Sequence, residues 1–195
     1  MERRASPSMT SSTHRYCAYY CEENVWHLCA DAHVTGHPRA AIVISNSTRT
    51  VAVAGQRAAP HPDLPVVWDY HVVLAARGTA GWAIWDLDST LGMPVPLLDY
   101  LRQSFTAPHG FAPPHDAWFR VIEATRYRDL LCTDRSHMRD ASGRYRVPPP
   151  PWPAIGTGTN LMRLVDMDDP IAGEVVALAD LPAAIARLEP AESAG

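Results

Sequence analysis

Two runs rich in β-branched and aromatic residues, 66–74 and 82–88, flank a short segment bounded by Gly78 and Gly81. Runs of this kind on either side of a glycine turn pair as an antiparallel hairpin, the strongest local constraint in the chain. Strand side chains alternate with period two, so His71 on the first run shares a face with both Asp86 and Asp88 on the second. A turn centred between Gly78 and Thr79 sets His71 directly opposite Asp86. Centred one residue later, it sets His71 opposite Asp88 and leaves Asp86 on the diagonal. Directly opposed Cβ atoms lie about 5 Å apart and diagonal ones about 7 Å, so an imidazole reaches either carboxylate. A histidine oriented by a carboxylate is the base half of a nucleophilic site, and spacing alone leaves the identity of the acid open.

The thiol for such a site is expected in the stretch Cys-Glu-Glu-Asn-Val-Trp at 21–26. Read as a helix, it puts Cys21, Val25, Leu28, Cys29 and Ala32 on one buried face, with Glu22 and Glu23 in the first turn. Cys21 then sits inward at a helix N-terminus, where free backbone N–H groups favour a thiolate and a developing oxyanion. Glu22 and Glu23 oppose a thiolate, so activation falls on the imidazole and the helix end. A free inward cysteine is by itself usually a small core residue; the His71 hairpin is what makes Cys21 a candidate nucleophile. Cys17, Cys21, His27 and Cys29 also cluster in sequence. Along a helix, however, Cys21 and Cys29 would stand about 12 Å apart, too far to share a zinc ion. No metal is therefore expected. His137 is a second candidate base or, as a loop residue, equally a group that lines the substrate pocket or anchors the loop; His14, His33, His37, His61, His109 and His115 are expected at the surface, and Cys29 and Cys132 in the core.

The remaining elements follow in order. A strand at 40–45 is expected to turn at Asn46 and pair with 50–53, and a proline-broken loop occupies 55–65. The apolar spacing predicts a helix at 96–105, a strand at 119–123 and a short helix at 127–132. Residues 134–158 are irregular; the stiff run Pro148-Pro149-Pro150-Pro151 within them reads as a rim loop over a cleft. A strand at 175–178 and a helix capped by Asp180 close the chain. The fold class is α+β, an N-terminal helix carrying the cysteine packed on an antiparallel sheet.

A chain of 195 residues suits one domain, so a floppy polar tail at 1–14 and a single catalytic domain at 15–195 are expected. The net charge of −4 gives no case for nucleic acid or an anionic membrane, and no apolar run approaches the roughly 20 residues of a membrane span. Four cysteines without a signal-peptide pattern point to free thiols and the cytoplasm. All 17 basic residues are arginine, a bias of GC-rich coding.

At these residues the sequence resembles the protein N-terminal glutamine amidohydrolases. The resemblance is carried by Cys-Glu-Glu-Asn at 21–24, Val-Val-Trp-Asp-Tyr-His-Val-Val at 66–73 and Trp-Asp-Leu-Asp at 85–88. It continues with Asp-Arg-Ser-His-Met at 134–138 and Pro-Pro-Pro-Pro-Trp-Pro at 148–153. It implies a papain- and transglutaminase-like α+β fold and a triad of Cys21, His71 and Asp86, with Asp86 rather than Asp88 as the acid. It further implies conversion of an N-terminal Gln of a protein or peptide to Glu with release of ammonia, without metal or cofactor. In eukaryotes that step feeds a degradation route reading destabilising N-termini. Other papain-like hydrolases or acyl transferases, or a silent peptide-binding module, are the alternatives. A monomer is expected. For the substrate α-ammonium group, Glu22, Glu23, Asp69 and Asp134 are the candidate carboxylates.

Overall fold

The structure, a computed structural model, describes residues 14–35, 37–105 and 115–189. The expected tail lies outside the described residues except for His14. That histidine is half-buried rather than exposed, with Nδ1 2.7 Å from Asp31 Oδ2.

Helix α1 (Cys21–Leu28) leads into β1 (Arg39–Ser45), β2 (Val51–Val53), β3 (Val66–Trp68), β4 (His71–Gly78), β5 (Gly81–Trp85) and β6 (Val95–Pro96). Helix α2 (Leu97–Phe105), β7 (Trp118–Glu123), α3 (Ala124–Leu130), α4 (Leu161–Val165), β8 (Glu174–Ala177) and α5 (Leu181–Ala186) complete the chain. Six strands form one antiparallel sheet in the order β6-β5-β4-β1-β7-β8.

Both faces of this sheet are covered. Ala41, Val43, Val72, Leu74 and Ile122 pack with α1, α3 and α4 on one side. Ala40, Ile42, Ile44, Val73, Ala75, Ile84 and Phe119 pack with α2, α5 and β2 on the other. This double cover explains why 40–44 and 72–76 read as unbroken apolar runs instead of alternating ones. The expected α+β class, with the cysteine-bearing helix against an antiparallel sheet, is what the chain adopts. No helix is long and apolar enough to cross a membrane among the described residues.

Several local expectations are corrected. Residues 50–53 do not pair with β1; β2 pairs with β3 in a separate two-stranded sheet, and β4 and β7 take the two edges of β1. The run 66–74 is two strands. At the break, Asp69 Oδ1 accepts the N–H of Tyr70 (3.0 Å), and the chain passes from the small sheet into the large one. Helix α1 ends at Leu28, so Ala32 does not extend its stripe. Asp180 stands at the N-cap of α5, but its own helical backbone (φ −93°, ψ −12°) leaves the side chain without a capping bond. Cys29 is in the core as expected, whereas Cys132 is half-buried; all four thiols are free.

One buried cation joins β7 to the segment after α4. Arg120, on the α1 side of the sheet, donates to the carbonyls of Leu164 (2.9 Å), Ala172 (2.6 Å), Asp166 (2.6 Å) and Asp169 (2.8 Å). Four carbonyl dipoles converge on the guanidinium, and the negative charges of Asp169 and Asp166 attract it as well.

Candidate active site

The hairpin of β4 and β5 closes with Gly78 opposite Gly81 and Leu74 opposite Trp85. The turn is therefore centred between Thr79 and Ala80, and the register continued outward sets His71 against Asp88, with Asp86 on the diagonal. The hydrogen bond nevertheless goes to the diagonal residue: His71 Nε2 donates to Asp86 Oδ1 at 3.0 Å. Three further donors fix that carboxylate. The Asp88 N–H meets the same Oδ1 at 3.0 Å, while Gln56 Nε2 and the Tyr100 hydroxyl meet Oδ2 at 2.9 Å each. Burial alone would raise the Asp86 pKa, but His71 and these donors hold it below the ordinary carboxylate value. Asp86 is thus a buried anion with every lone pair directed. Burial conversely opposes a charged His71, yet Asp86 outweighs it and lifts the imidazole above 6.5. Trp68 stacks on the imidazole with ring centroids 5.8 Å apart.

The Cys-Glu-Glu-Asn stretch is structural at every position after the cysteine. Asn24 Oδ1 accepts the Cys17 N–H and its Nδ2 donates to the Cys17 carbonyl, both at 2.8 Å, which pins the chain entering α1. Just before the helix, Tyr19 adopts φ +68°, a costly left-handed conformation for a residue with a side chain. Glu23 is fully buried, held by Arg135 through both oxygens (2.6 and 2.7 Å) and by the Trp152 indole (2.7 Å). Glu22, also fully buried, accepts the Tyr70 hydroxyl at 3.0 Å, and its other oxygen lies 3.5 Å from His137 Nε2. The two acids expected to meet the helix dipole instead staple α1 to neighbouring segments.

Cys21 projects from the first residue of α1 toward the start of β4, where the Val72 N–H is directed at its sulfur. Burial pushes the thiol well above 9.0, Glu22 and Asp88 add to this, and the Val72 N–H only partly opposes it. These surroundings favour the protonated sulfur. Cys21 opens onto a cavity of about 260 Å³ whose wall includes Trp68, Asp69, Tyr70, Asp88, His137 and Arg146. His137 takes the pocket-lining place of its expected alternatives, with Nε2 3.3 Å from the Tyr70 hydroxyl. The proline run does not itself line this cavity. Val147 just before it does, and Arg135 anchors the run through the carbonyls of Pro150 and Trp152. Cys17, His27 and Cys29 do not gather around Cys21. Among the described residues, the one set of three potential ligands within 4.8 Å of one another is His71, Asp86 and Asp88.

Gln56, Tyr100 and Tyr16, whose hydroxyl donates to Asp88 Oδ1 at 2.6 Å, carried no signal in the sequence, since they reach the site from a loop, from α2 and from the segment before α1; Arg135 stood in the motif at 134–138, but nothing there pointed to Glu23 as its partner. Glu23→Gln is expected to lower the melting temperature by about 4–8 °C, about 2 kcal/mol, because Arg135 and Trp152 keep an acceptor but lose the charge. Differential scanning calorimetry measures this.

A buried thiol lies beside an imidazole-bearing strand, and the imidazole is hydrogen-bonded to a carboxylate; groups of these types can carry out thiol-dependent acyl transfer at an amide or ester carbonyl. The model of the N-terminal glutamine amidase family matches residues 16–185. A protein N-terminal glutamine amidohydrolase of Bos taurus is 39% identical over 169 residues, covering 83% of this chain and 79% of that protein. One of Homo sapiens is 39% identical over 169 residues (83% and 80%), and one of Danio rerio is 36% identical over 174 residues (85% and 86%). The chain belongs to the N-terminal glutamine amidase family.

Proposed function

We propose that this protein hydrolyses the side-chain amide of an N-terminal glutamine in peptides and proteins, giving glutamate and ammonia. Cys21 is the nucleophile, His71 the base and acid, and Asp86 the orienting carboxylate. The observation that supports this best is the directed bond from His71 Nε2 to a fourfold-satisfied Asp86, beside the thiol of a chain belonging to the amidase family. Residues 15–195 act as one catalytic domain of the papain- and transglutaminase-like kind, a reading supported by a thiol at a helix start against an antiparallel sheet. Four free thiols favour a reducing cytoplasm.

With Nε2–H committed to Asp86, Nδ1 is the basic nitrogen. It takes the thiol proton as the sulfur attacks the amide carbon. The carbonyl π pair moves onto oxygen, where backbone N–H groups at the start of α1, that of Cys21 first, receive the oxyanion. Collapse re-forms the carbonyl and breaks the C–N bond, while the imidazolium gives its proton to the departing nitrogen, which leaves as ammonia. Water then adds to the thioester carbon, losing a proton to His71. Collapse expels the sulfur, which regains that proton, and the glutamate carboxyl leaves ionised. A raised thiol pKa fits this order, in which proton transfer accompanies attack instead of preceding it.

Ammonia release from short peptides beginning with Gln, with Asn or with N-acetyl-Gln tests the reading. Release from the free Gln terminus, about 10²-fold slower from Asn because its amide carbon is misplaced by about 1 Å, is the expected result. Release from acetylated Gln would move the protein to a general glutaminase or acyl transferase. Silence on all three from the folded protein would leave a binding module.

A further inference from the structure

We infer that Asp88 receives the α-ammonium group of the N-terminal glutamine and so restricts the enzyme to free termini. This rests on the reading above. From the amide carbon of glutamine to its α-nitrogen is four bonds, about 5 Å when extended. The group that binds the ammonium must therefore belong to the same cavity wall as Cys21.

Of the four carboxylates suggested by the sequence, three are unsuited. Glu23 is fully buried and closed by Arg135 and Trp152. Glu22 has no exposed surface, carries the Tyr70 hydroxyl and does not line the cavity. Asp134 also lies off the cavity wall, with Oδ1 on the Ser136 N–H. Asp69 does line the cavity but is exposed, and a solvated ion pair contributes little.

Asp88, absent from the sequence-derived candidates, lines the cavity with only 7% of its surface exposed. Its Oδ1 accepts the Tyr16 hydroxyl at 2.6 Å, and Oδ2 has no hydrogen-bond donor among the described residues. A potential ligand oxygen of Asp88 lies within 4.8 Å of atoms of both His71 and Asp86. The same hairpin register that gives Asp86 to the imidazole leaves the directly opposed Asp88 free to face the substrate. His71 and Arg57 attract Asp88, yet Oδ2 has no donor among the described residues, so an arriving cation is favoured there and a neutral acylated terminus would supply none of its charge.

The test compares kcat/KM for a Gln-initiated peptide with that for the same peptide carrying des-amino glutamine, a 4-carbamoylbutanoyl cap. Wild type, Asp88→Asn and Asp69→Asn are measured. Asp88→Asn is expected to slow the amino substrate about 10²-fold and the des-amino substrate less than about threefold, collapsing the preference. Asp69→Asn is expected to leave that preference within about threefold of wild type. An equal loss on both substrates would overturn the inference, because Asp88 would then act through His71 or Tyr16; so would collapse of the preference in Asp69→Asn. Should Asp88→Asn not fold, Asp88→Ser, which keeps an oxygen for Tyr16, carries the same comparison. A wild type silent on Gln peptides would overturn the amidase reading and this one with it. An active wild type with an unchanged preference in Asp88→Asn would overturn this one alone.

Discussion

Cys21→Ala is expected to reduce ammonia release from a Gln peptide to background, and Asp86→Asn to lower kcat about 10⁴-fold in a protein that still folds. The fold should survive the second change because its consequences are local. Gln56 and the Tyr100 hydroxyl both donate to Asp86 Oδ2, and Gln56 Oε1 has no partner among the described residues. Rotating the Gln56 amide offers that oxygen to the new NH₂ group, and Tyr100 can turn its hydroxyl to accept. The remaining carbonyl oxygen still accepts from His71 Nε2, but no rearrangement replaces the negative charge that stabilises its imidazolium.

The pH profile reports the same loss. His71 works as a base only when neutral, and Asp86 raises its pKa above 6.5 against the lowering effect of burial. In wild type, kcat/KM is therefore expected to fall with acid through a midpoint above 6.5. In Asp86→Asn only burial and the more distant Asp88 remain, so the midpoint should move to lower pH. A profile with the same acid midpoint in both proteins would show that another group, with His137 the first candidate, supplies the base.

The second large effect concerns stability. Arg120→Met is expected to destabilise the protein by about 4 kcal/mol, lowering the melting temperature by about 8–16 °C. The methionine fills much of the space but leaves the carbonyls of Leu164, Asp166, Asp169 and Ala172 without the donors that gather them. These carbonyls lie in one stretch leading from α4 toward β8, so the segment should loosen as a unit and exchange its amide hydrogens early. Arg120→Lys should recover only part of the loss, since one ammonium cannot reach four divergent acceptors. Catalysis at 25 °C should change little, because two strands, β1 and β4, lie between β7 and β5. Thermal melts with hydrogen exchange of residues 161–177 check this; an unaltered melting temperature would show the cluster to be replaceable by apolar packing.

The elements that could be read directly were those whose signal is local. The hairpin of β4 and β5 within 66–88, the helix beginning at Cys21, the helix expected at 96–105 and the strand expected at 119–123 all follow from apolar periodicity and turn chemistry within a few residues. The errors in strand pairing and in the acids of α1 arose from long-range contacts. Residues 50–53 pair with 66–68 across a proline-rich loop, and nothing near either segment favours that partner over β1. The same holds for Glu22 and Glu23. Two acids at a helix start look solvated, and only the arrival of Tyr70, Arg135 and Trp152 from distant segments explains their burial.

The sequence by itself determined the chemistry on offer: a thiol at a helix start, a histidine and two carboxylates on paired strands, and an order of motifs resembling one amidohydrolase family. Period two in a strand is enough to put His71 and both acids on one face. Dividing the two acids was beyond it, because a one-residue change in the turn exchanges them and the bond then depends on side-chain direction. The family resemblance implied Asp86, and the tertiary structure gives the physical reason the imidazole bonds to it. Gln56 from a loop and Tyr100 from α2 aim at Asp86 and complete it, whereas Tyr16 takes only one oxygen of Asp88 and leaves the other to the cavity. Electrostatic roles are set by which donors converge on a charge, and those donors come from segments that meet only when the chain is folded.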